Sequence, residues 1–357
     1  MQNVYKIGEL FCGAGGLALG VCAATIEDEN GVFHKCQHIW ANDSNIHACK
    51  TFEENIANNE ECKIICEDVE NINLKKFPTI DGLLFGFPCN DFSLVGEQEG
   101  MNGDHGPLYS YGIEALDYHN PIFFIAENVD GFSSINNGKT FRMILSEMSK
   151  AGYGYNLTSH LYKFEDYGIP QKRHRIVIVG FRKDLELEYK VPAPTHENNH
   201  ISCSEALKGV EEIEHNNIKT NHAKKTIKRL KYIPPGANAW HPNIPEDLRL
   251  NVNGCKMSHI YRRLEGDKPA YTLTGNGGGG THVYHWEEPR ALTNRERARL
   301  QTFPDDYIFY GGKEAVRTQI GHAVPPLGAK IITEALLKCL VGIDYESIPA
   351  SKNYSEL

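Results

Sequence analysis

Apolar residues in this chain gather into short runs that stop at glycine or polar edges, and between those runs the apolar spacing turns helical. Val4 to Phe11 predicts a strand that runs straight into Cys12-Gly13-Ala14-Gly15-Gly16-Leu17-Ala18-Leu19-Gly20, a glycine turn opening a helix. Gln37 to Ala41 predicts a second strand, ending at Asn42-Asp43 before the amphipathic stretch Ser44 to Asn55, with Ser44 as its cap. Lys63 to Cys66 is a short third strand, followed by Glu67-Asp68-Val69. Within Asp81 to Ser93 an apolar run bounded by Gly86 and Pro88 reads as a buried strand, and Pro88, with fixed φ and no N–H, stops it and presents Cys89 at its carboxyl edge. Pro121 to Glu127 is another buried strand and delivers Glu127-Asn128-Val129 to the same edge. Gly138 to Ala151 then reads as helix, Tyr155 to Tyr162 as strand, and Arg175 to Phe181 as the last core strand. Alternation of this kind predicts an α/β fold, a Rossmann-like, doubly wound and mostly parallel sheet, which takes its ligands at the carboxyl ends of its strands.

After Val191 the pattern changes. Clustered prolines, many Asn and His, and little periodicity run to Asn253 and predict a smaller, irregular second lobe. Thr293 to Leu300 reads as a charged helix and Ala329 to Leu340 as an amphipathic terminal helix. At 357 residues two lobes are expected. Ten scattered cysteines without a C-x-x-C pair, and an N-terminus without the basic-then-apolar layout of a signal peptide, point to a reducing, cytoplasmic setting. No apolar run approaches the roughly 18 residues of a membrane span, so no membrane partner is expected. The net charge of −9 is unevenly spread, because Asn216 to Lys268 carries eleven Lys and Arg against four acids, a local +7. A basic segment in an acidic chain fits either a solvated surface or a nucleic-acid contact.

Candidate chemistry sits at the strand ends. The glycine turn permits positive φ and offers free helix N–H groups to an anion, and Asp43 is placed like an acid that binds ribose hydroxyls. Glu127 closes an apolar run, where an isolated carboxylate is costly unless paired or functional. Arg173 and Arg175 alternate on one face of an extended segment. Ser93 to Gly106 is polar and glycine-rich and reads as a loop able to close over a substrate. His196-Glu197-Asn198-Asn199-His200 spells a zinc-protease pattern, yet Pro192 and Pro194 precede it and no apolar helix face surrounds it. No metal is expected there.

Six motifs in order carry a resemblance: Phe11-Cys12-Gly13-Ala14-Gly15-Gly16-Leu17; Pro88-Cys89 with Phe92-Ser93; Glu127-Asn128-Val129; Gln171-x-Arg173-x-Arg175; Arg295 to Pro304; and Gln319 to Pro325. Together they resemble a DNA (cytosine-5) methyltransferase. The resemblance implies S-adenosyl-L-methionine as cofactor, held by Phe11, Gly13, Gly15, Gly16, Leu17, Asp43, Asp68, Val69, Pro88 and Val324. It implies Cys89 as the thiolate that adds to cytosine C6, Glu127 at N3 and N4, and an arginine of the Arg173/Arg175 pair at O2, acting on a base flipped out of double-stranded DNA. Ser93, Lys224, Lys225, Lys228, Arg229, Arg262 and Arg263 are then the expected DNA contacts. The implied organisation is a discontinuous catalytic domain, 1–185 plus 316–357, with a target-recognition domain at 186–300 and a connector at 301–315.

This sequence departs from the family pattern at Asn90, Glu97, Glu99, His105 and His322. Rival readings are a tRNA cytosine-5 methyltransferase, a catalytically silent DNA-binding relative, and a nicotinamide dehydrogenase, which leaves Pro88-Cys89 and the paired arginines without a role. A monomeric enzyme paired with a restriction endonuclease of the same site completes the expectation.

Overall fold

The computed structural model describes residues 1–57, 61–87, 108–251, 257–275 and 277–351, the side chains at 134 and 135 excepted. Pro88, Cys89, Asn90, Ser93, Glu97, Glu99 and His105 lie outside the described residues, as does the loop expected from Ser93 to Gly106. The chain forms two compact units. The first comprises Met1–Lys163, His174–Pro194 and the tail from Pro326, and the second Phe164–Arg173 and Thr195–Pro325. These divisions fall elsewhere than the expected 185/186 and 315/316 boundaries.

In the first unit the elements run β1 (Gln2–Leu10), α1 (Gly16–Ala23), β2 (Thr25–Glu27), β3 (Phe33–Asp43), α2 (Ile46–Asn55), β4 (Lys63–Cys66), β5 (Gly82–Phe85), α3 (Tyr109–His119), β6 (Phe123–Val129), α4 (Lys139–Lys150), β7 (Tyr155–Lys163), β8 (His174–Arg182) and, in the tail, α5 (Pro326–Val341). Among the described residues eight strands make one sheet in the order β2-β3-β1-β5-β6-β8-β7, with β4 also on β3. β3, β1, β5 and β6 are parallel neighbours, and β4 runs parallel to β3. Strands covered on both faces must be apolar throughout, and Leu83, Leu84 and Phe85 are each fully buried. α3 and α4 bury Leu116, Ile144 and Met148 in one core with Leu83, Phe85 and Phe124. α1 packs against α5.

Residues 28–32 make a hairpin turn: β2 pairs antiparallel with β3, and Asp28 Oδ1 accepts from Asn30 N and Val32 N at 2.9 Å each. Two local details differ from the sequence expectation. Asn45, not Ser44, caps α2, its side chain accepting from His47 N and Ala48 N at 3.0 and 3.1 Å. The sheet also reverses direction at its far side, since β8 runs antiparallel to both β6 and β7.

The second unit has little regular structure, and buried arginines take over carbonyls that a ladder would otherwise satisfy. Arg263, 6% exposed, donates to His285 O, Ile233 O, Leu230 O, Trp286 O and Glu288 O. Arg295, fully buried, donates to His215 O, Pro304 O and Tyr307 O. The charged helix Asn294–Leu300 starts at a reciprocal cap between Thr293 and Glu296, and its Arg295, Glu296 and Arg297 are buried. Among the described residues no helix is long and apolar enough to cross a membrane.

Close approach of α1 and α5 requires Gly20, where a Cβ would stand 2.2 Å from Pro326 O and 2.5 Å from the Ala329 Cβ. Backbone cannot yield as a flexible side chain does, so Gly20→Ala is expected to lower stability by about 1–3 kcal/mol, read as a reduced urea midpoint at unchanged m-value.

Candidate active site

Parallel strands end side by side, and the first candidate residues occupy those ends. β1 leads through Phe11 (φ 57°), Gly13 (φ 54°) and Gly15 (φ 80°) into α1. Gly15 caps α1 without a side chain, so the cap residue itself takes none of the first-turn N–H groups. A Cβ at Gly13 would meet nothing within 4 Å, which leaves the turn open on that side. Asp43, at the end of β3, fixes the turn: its Oδ2 accepts from Gly13 N at 2.8 Å and its Oδ1 from Asn45 N at 2.8 Å. Fully buried Asn42 donates from Nδ2 to Ile65 O and Glu67 O, at 2.9 and 2.8 Å, and so ties the end of β4 to the end of β3. Asp68 follows, exposed, with Oδ1 accepting from Glu70 N, and Val69 beside it is buried. Gly16 and Leu17 are buried in the first turn of α1. Val324 is buried in the second unit.

Glu127 projects from the end of β6. A Cβ on Gly86, just past β5, would lie 3.5 Å from Glu127 Oε2, so the carboxyl borders the chain that leads to Pro88. Asn128 Nδ2 donates to Phe87 O at 3.1 Å and holds that chain end against β6. The antiparallel turn of β8 supplies the cation. Val129 stands opposite Arg175 in the register, which puts Glu127 and Arg175 on one face as a diagonal pair. Arg175 Nε lies 2.8 Å from Glu127 Oε1, with each side chain 12% exposed. The N–H points off that line, so the oxygen gains charge without a well-aligned hydrogen bond. Arg175 Nη1 donates to His174 O.

Burial makes three of the described thiols poor nucleophiles. Cys12, inside the glycine turn, is pushed well above the ordinary thiol range by burial and by the charges of Asp43 and Glu9. Burial likewise pushes Cys62 and Cys203 up to about 12.

A family model of the C-5 cytosine-specific DNA methylases matches residues 5–338. The chain belongs to this family. It is 55% identical over 359 residues to the type II methyltransferase M.BbvI of Brevibacillus brevis, covering 99% of this chain and 96% of that protein. It is 38% identical to the type II methyltransferase M.NgoFVII of Neisseria gonorrhoeae, covering 97% and 90%. A solved structure of a DNMT2 mutant from Spodoptera frugiperda superposes with a TM-score of 0.62 at 18% identity, covering 94% of this chain and 99% of that one, a likeness of fold.

In this methylase the Gln171-x-Arg173-x-Arg175 motif is divided in its duties. Gln171 is fully buried; its Oε1 accepts from Leu273 N and its Nε2 donates to Gln301 Oε1. Arg173 is 1% exposed and donates to Leu273 O and His322 O at 3.2 and 3.3 Å, so its guanidinium ties segments of the second unit together. Arg175 alone of the two arginines pairs with Glu127. Of the expected DNA contacts, Lys224, Lys225 and Lys228 are exposed on the helix Lys224–Leu230. Arg262 lies over the Tyr271 ring at 4.5 Å. Arg229 and Arg263 are a correction: both are buried, Arg229 donating to Leu248 O and stacking on Tyr261, and Arg263 holding five carbonyls. Charge counting missed them because it ignores which cations an irregular core consumes. His196 to His200 forms a turn, not a helix, and His200 Nε2 lies 2.7 Å from Asp166 Oδ1. Asn42 and Asn128 went without a role in the sequence reading, although each stands directly beside a candidate acid.

Removing one member of a buried ion pair leaves the other charge uncompensated. Glu127→Ala is therefore expected to lower stability by about 3 kcal/mol, and adding Arg175→Ala to recover part of that loss. A double-mutant cycle by denaturation measures both, and strictly additive effects would deny the coupling.

Proposed function

We propose that this methylase transfers a methyl group to C5 of cytosine within a specific double-stranded DNA sequence, as the protective member of a restriction-modification system. The observation that carries the chemistry is the Glu127–Arg175 pair at the end of β6, bordering the chain that leads into Pro88-Cys89. The setting is supported by full-length identity to proteins named type II methyltransferases.

The residues at the strand ends suit S-adenosyl-L-methionine. The open glycine turn fits a close-lying anionic group at a helix start, and Asp43 and Asp68 are carboxylates placed for hydroxyl and amino groups. Phe11, Leu17 and Val69 supply apolar contact, and the resemblance adds Pro88 and Val324 to the cofactor residues. The cofactor supplies an electrophilic methyl on a sulfonium centre. Cytosine C5 is a weak nucleophile, so the Cys89 thiolate adds to C6 and the C5=C6 electron pair becomes enamine-like at C5. Negative charge shifts onto N3 and O2 as it does so. Glu127 gives N3 a hydrogen bond or proton and accepts from N4, while Arg175 holds O2. After methyl transfer, loss of the C5 proton expels Cys89 and restores the aromatic ring. The base must leave the helix stack for these contacts. Exposed Lys224, Lys225 and Lys228, with Arg262, answer to the phosphate backbone in the second unit, and Ser93 to the strand near Cys89.

Labelled S-adenosylmethionine incubated with unmethylated duplex DNA and, separately, with tRNA tests this reading. Label is expected in DNA alone, as 5-methylcytosine at a fixed sequence, abolished in Cys89→Ser and slowed by about 10²- to 10⁴-fold in Glu127→Gln. Label in tRNA alone would overturn the substrate. Cofactor binding without transfer to either would favour the silent DNA-binding relative.

A further inference from the structure

Three polar groups form a line through the core of the first unit that methyl transfer does not use. Cys22, in the last turn of α1, has its Sγ 3.2 Å from His38 Nδ1. His38 Nε2 in turn lies 2.8 Å from Glu9 Oε2. Glu9, on β1, and His38, on β3, are each 2% exposed, while Cys22 is partly exposed. Cys22, the most exposed of the three residues, is thus the outer end of a carboxylate–imidazole–thiol relay. In such a line the carboxylate fixes the ring tautomer and favours the imidazolium, and the ring takes the thiol proton.

We propose that Cys22 is a modification site, a thiolate that attacks small oxidants of the hydrogen peroxide class. A sulfur lone pair attacks one peroxide oxygen, the S–O bond forms and the O–O bond breaks. The departing hydroxide takes the proton from His38 Nδ1 and leaves as water. Sulfur is oxidised by two electrons to the sulfenic acid, and the peroxide is reduced.

The electrostatics agree with the geometry. Burial raises the Cys22 thiol, but the charge and hydrogen bond of His38 outweigh it and bring it below the ordinary value, with Glu9 opposing. His38 is lowered by burial and raised more by Cys22 and Glu9, to about 10. Two further thiols feel the Cys22 charge, Cys36 and Cys62, and burial pushes both up. Asp43 acts on the relay through Glu9.

The test treats the full-length protein with hydrogen peroxide and dimedone at pH 7 and pH 8 and reads labelling cysteine by cysteine in the peptide mass spectrum, Cys89 in its own peptide. At pH 7 Cys22 is expected to label at least about tenfold faster than Cys36 and Cys62. An unperturbed thiol gains about eightfold from pH 7 to pH 8, and Cys22 is expected to gain less than half of that. His38→Gln is expected to remove the advantage by about tenfold, and the wild-type pH profile decides the matter if that variant fails to fold. Cys22 labelling as slowly as Cys36, or gaining the full eightfold, would overturn the proposal.

Discussion

Parallel pairing of β3, β1, β5 and β6 is the constraint on which the active edge depends. In the observed register these parallel neighbours end together, so Asn42-Asp43, the glycine turn, Gly86-Phe87 and Glu127 are brought to one edge by backbone pairing. The helices that return the chain cover both faces, which is why these strands are largely apolar and why a polar residue inside one, as His38 is, stands against a partner. Asp43 and Asn128 then convert strand ends into fixed points, the one by holding Gly13 N and Asn45 N, the other by holding Phe87 O.

A single reversal completes the Glu127–Arg175 pair. A parallel β8 would carry Arg175 to the far edge of the sheet, because Arg175 lies at its start. Running antiparallel to β6, it begins where β6 ends, and Val129 opposite Arg175 sets the Glu127–Arg175 pair. The pair costs desolvation on both sides, and at 12% exposure each charge depends on the other.

The strands and the glycine turn were legible because period and punctuation are local properties. The direction of β8 was not, since an apolar run such as Arg175 to Phe181 reads the same in either sense. The Asp28 hairpin was hidden because β2 buries only Ile26. Of the site, Asp43 and Glu127 stood out as acids at strand ends, whereas the separation of Arg173 from Arg175 depends on carbonyls of Leu273 and His322, far away in sequence. The second unit was least legible. Its arginines look like a DNA-binding surface in a charge count, and the carbonyls that hold Arg229, Arg263 and Arg295 leave no sequence pattern. The exposed lysines of the helix Lys224–Leu230 remain as surface charge.

Covalent capture of the target base reads the proposed chemistry most directly. In duplex DNA carrying 5-fluorocytosine at the methylated position, fluorine cannot leave C5 as a proton does, so attack at C6 followed by methyl transfer traps the enzyme on its substrate. A cofactor-dependent adduct on the Cys89 peptide, lost in Cys89→Ser and much slower in Glu127→Gln, is the expected result. An adduct on another residue, or none while unmodified DNA of the same sequence is methylated, would contradict nucleophilic catalysis by Cys89 at this edge.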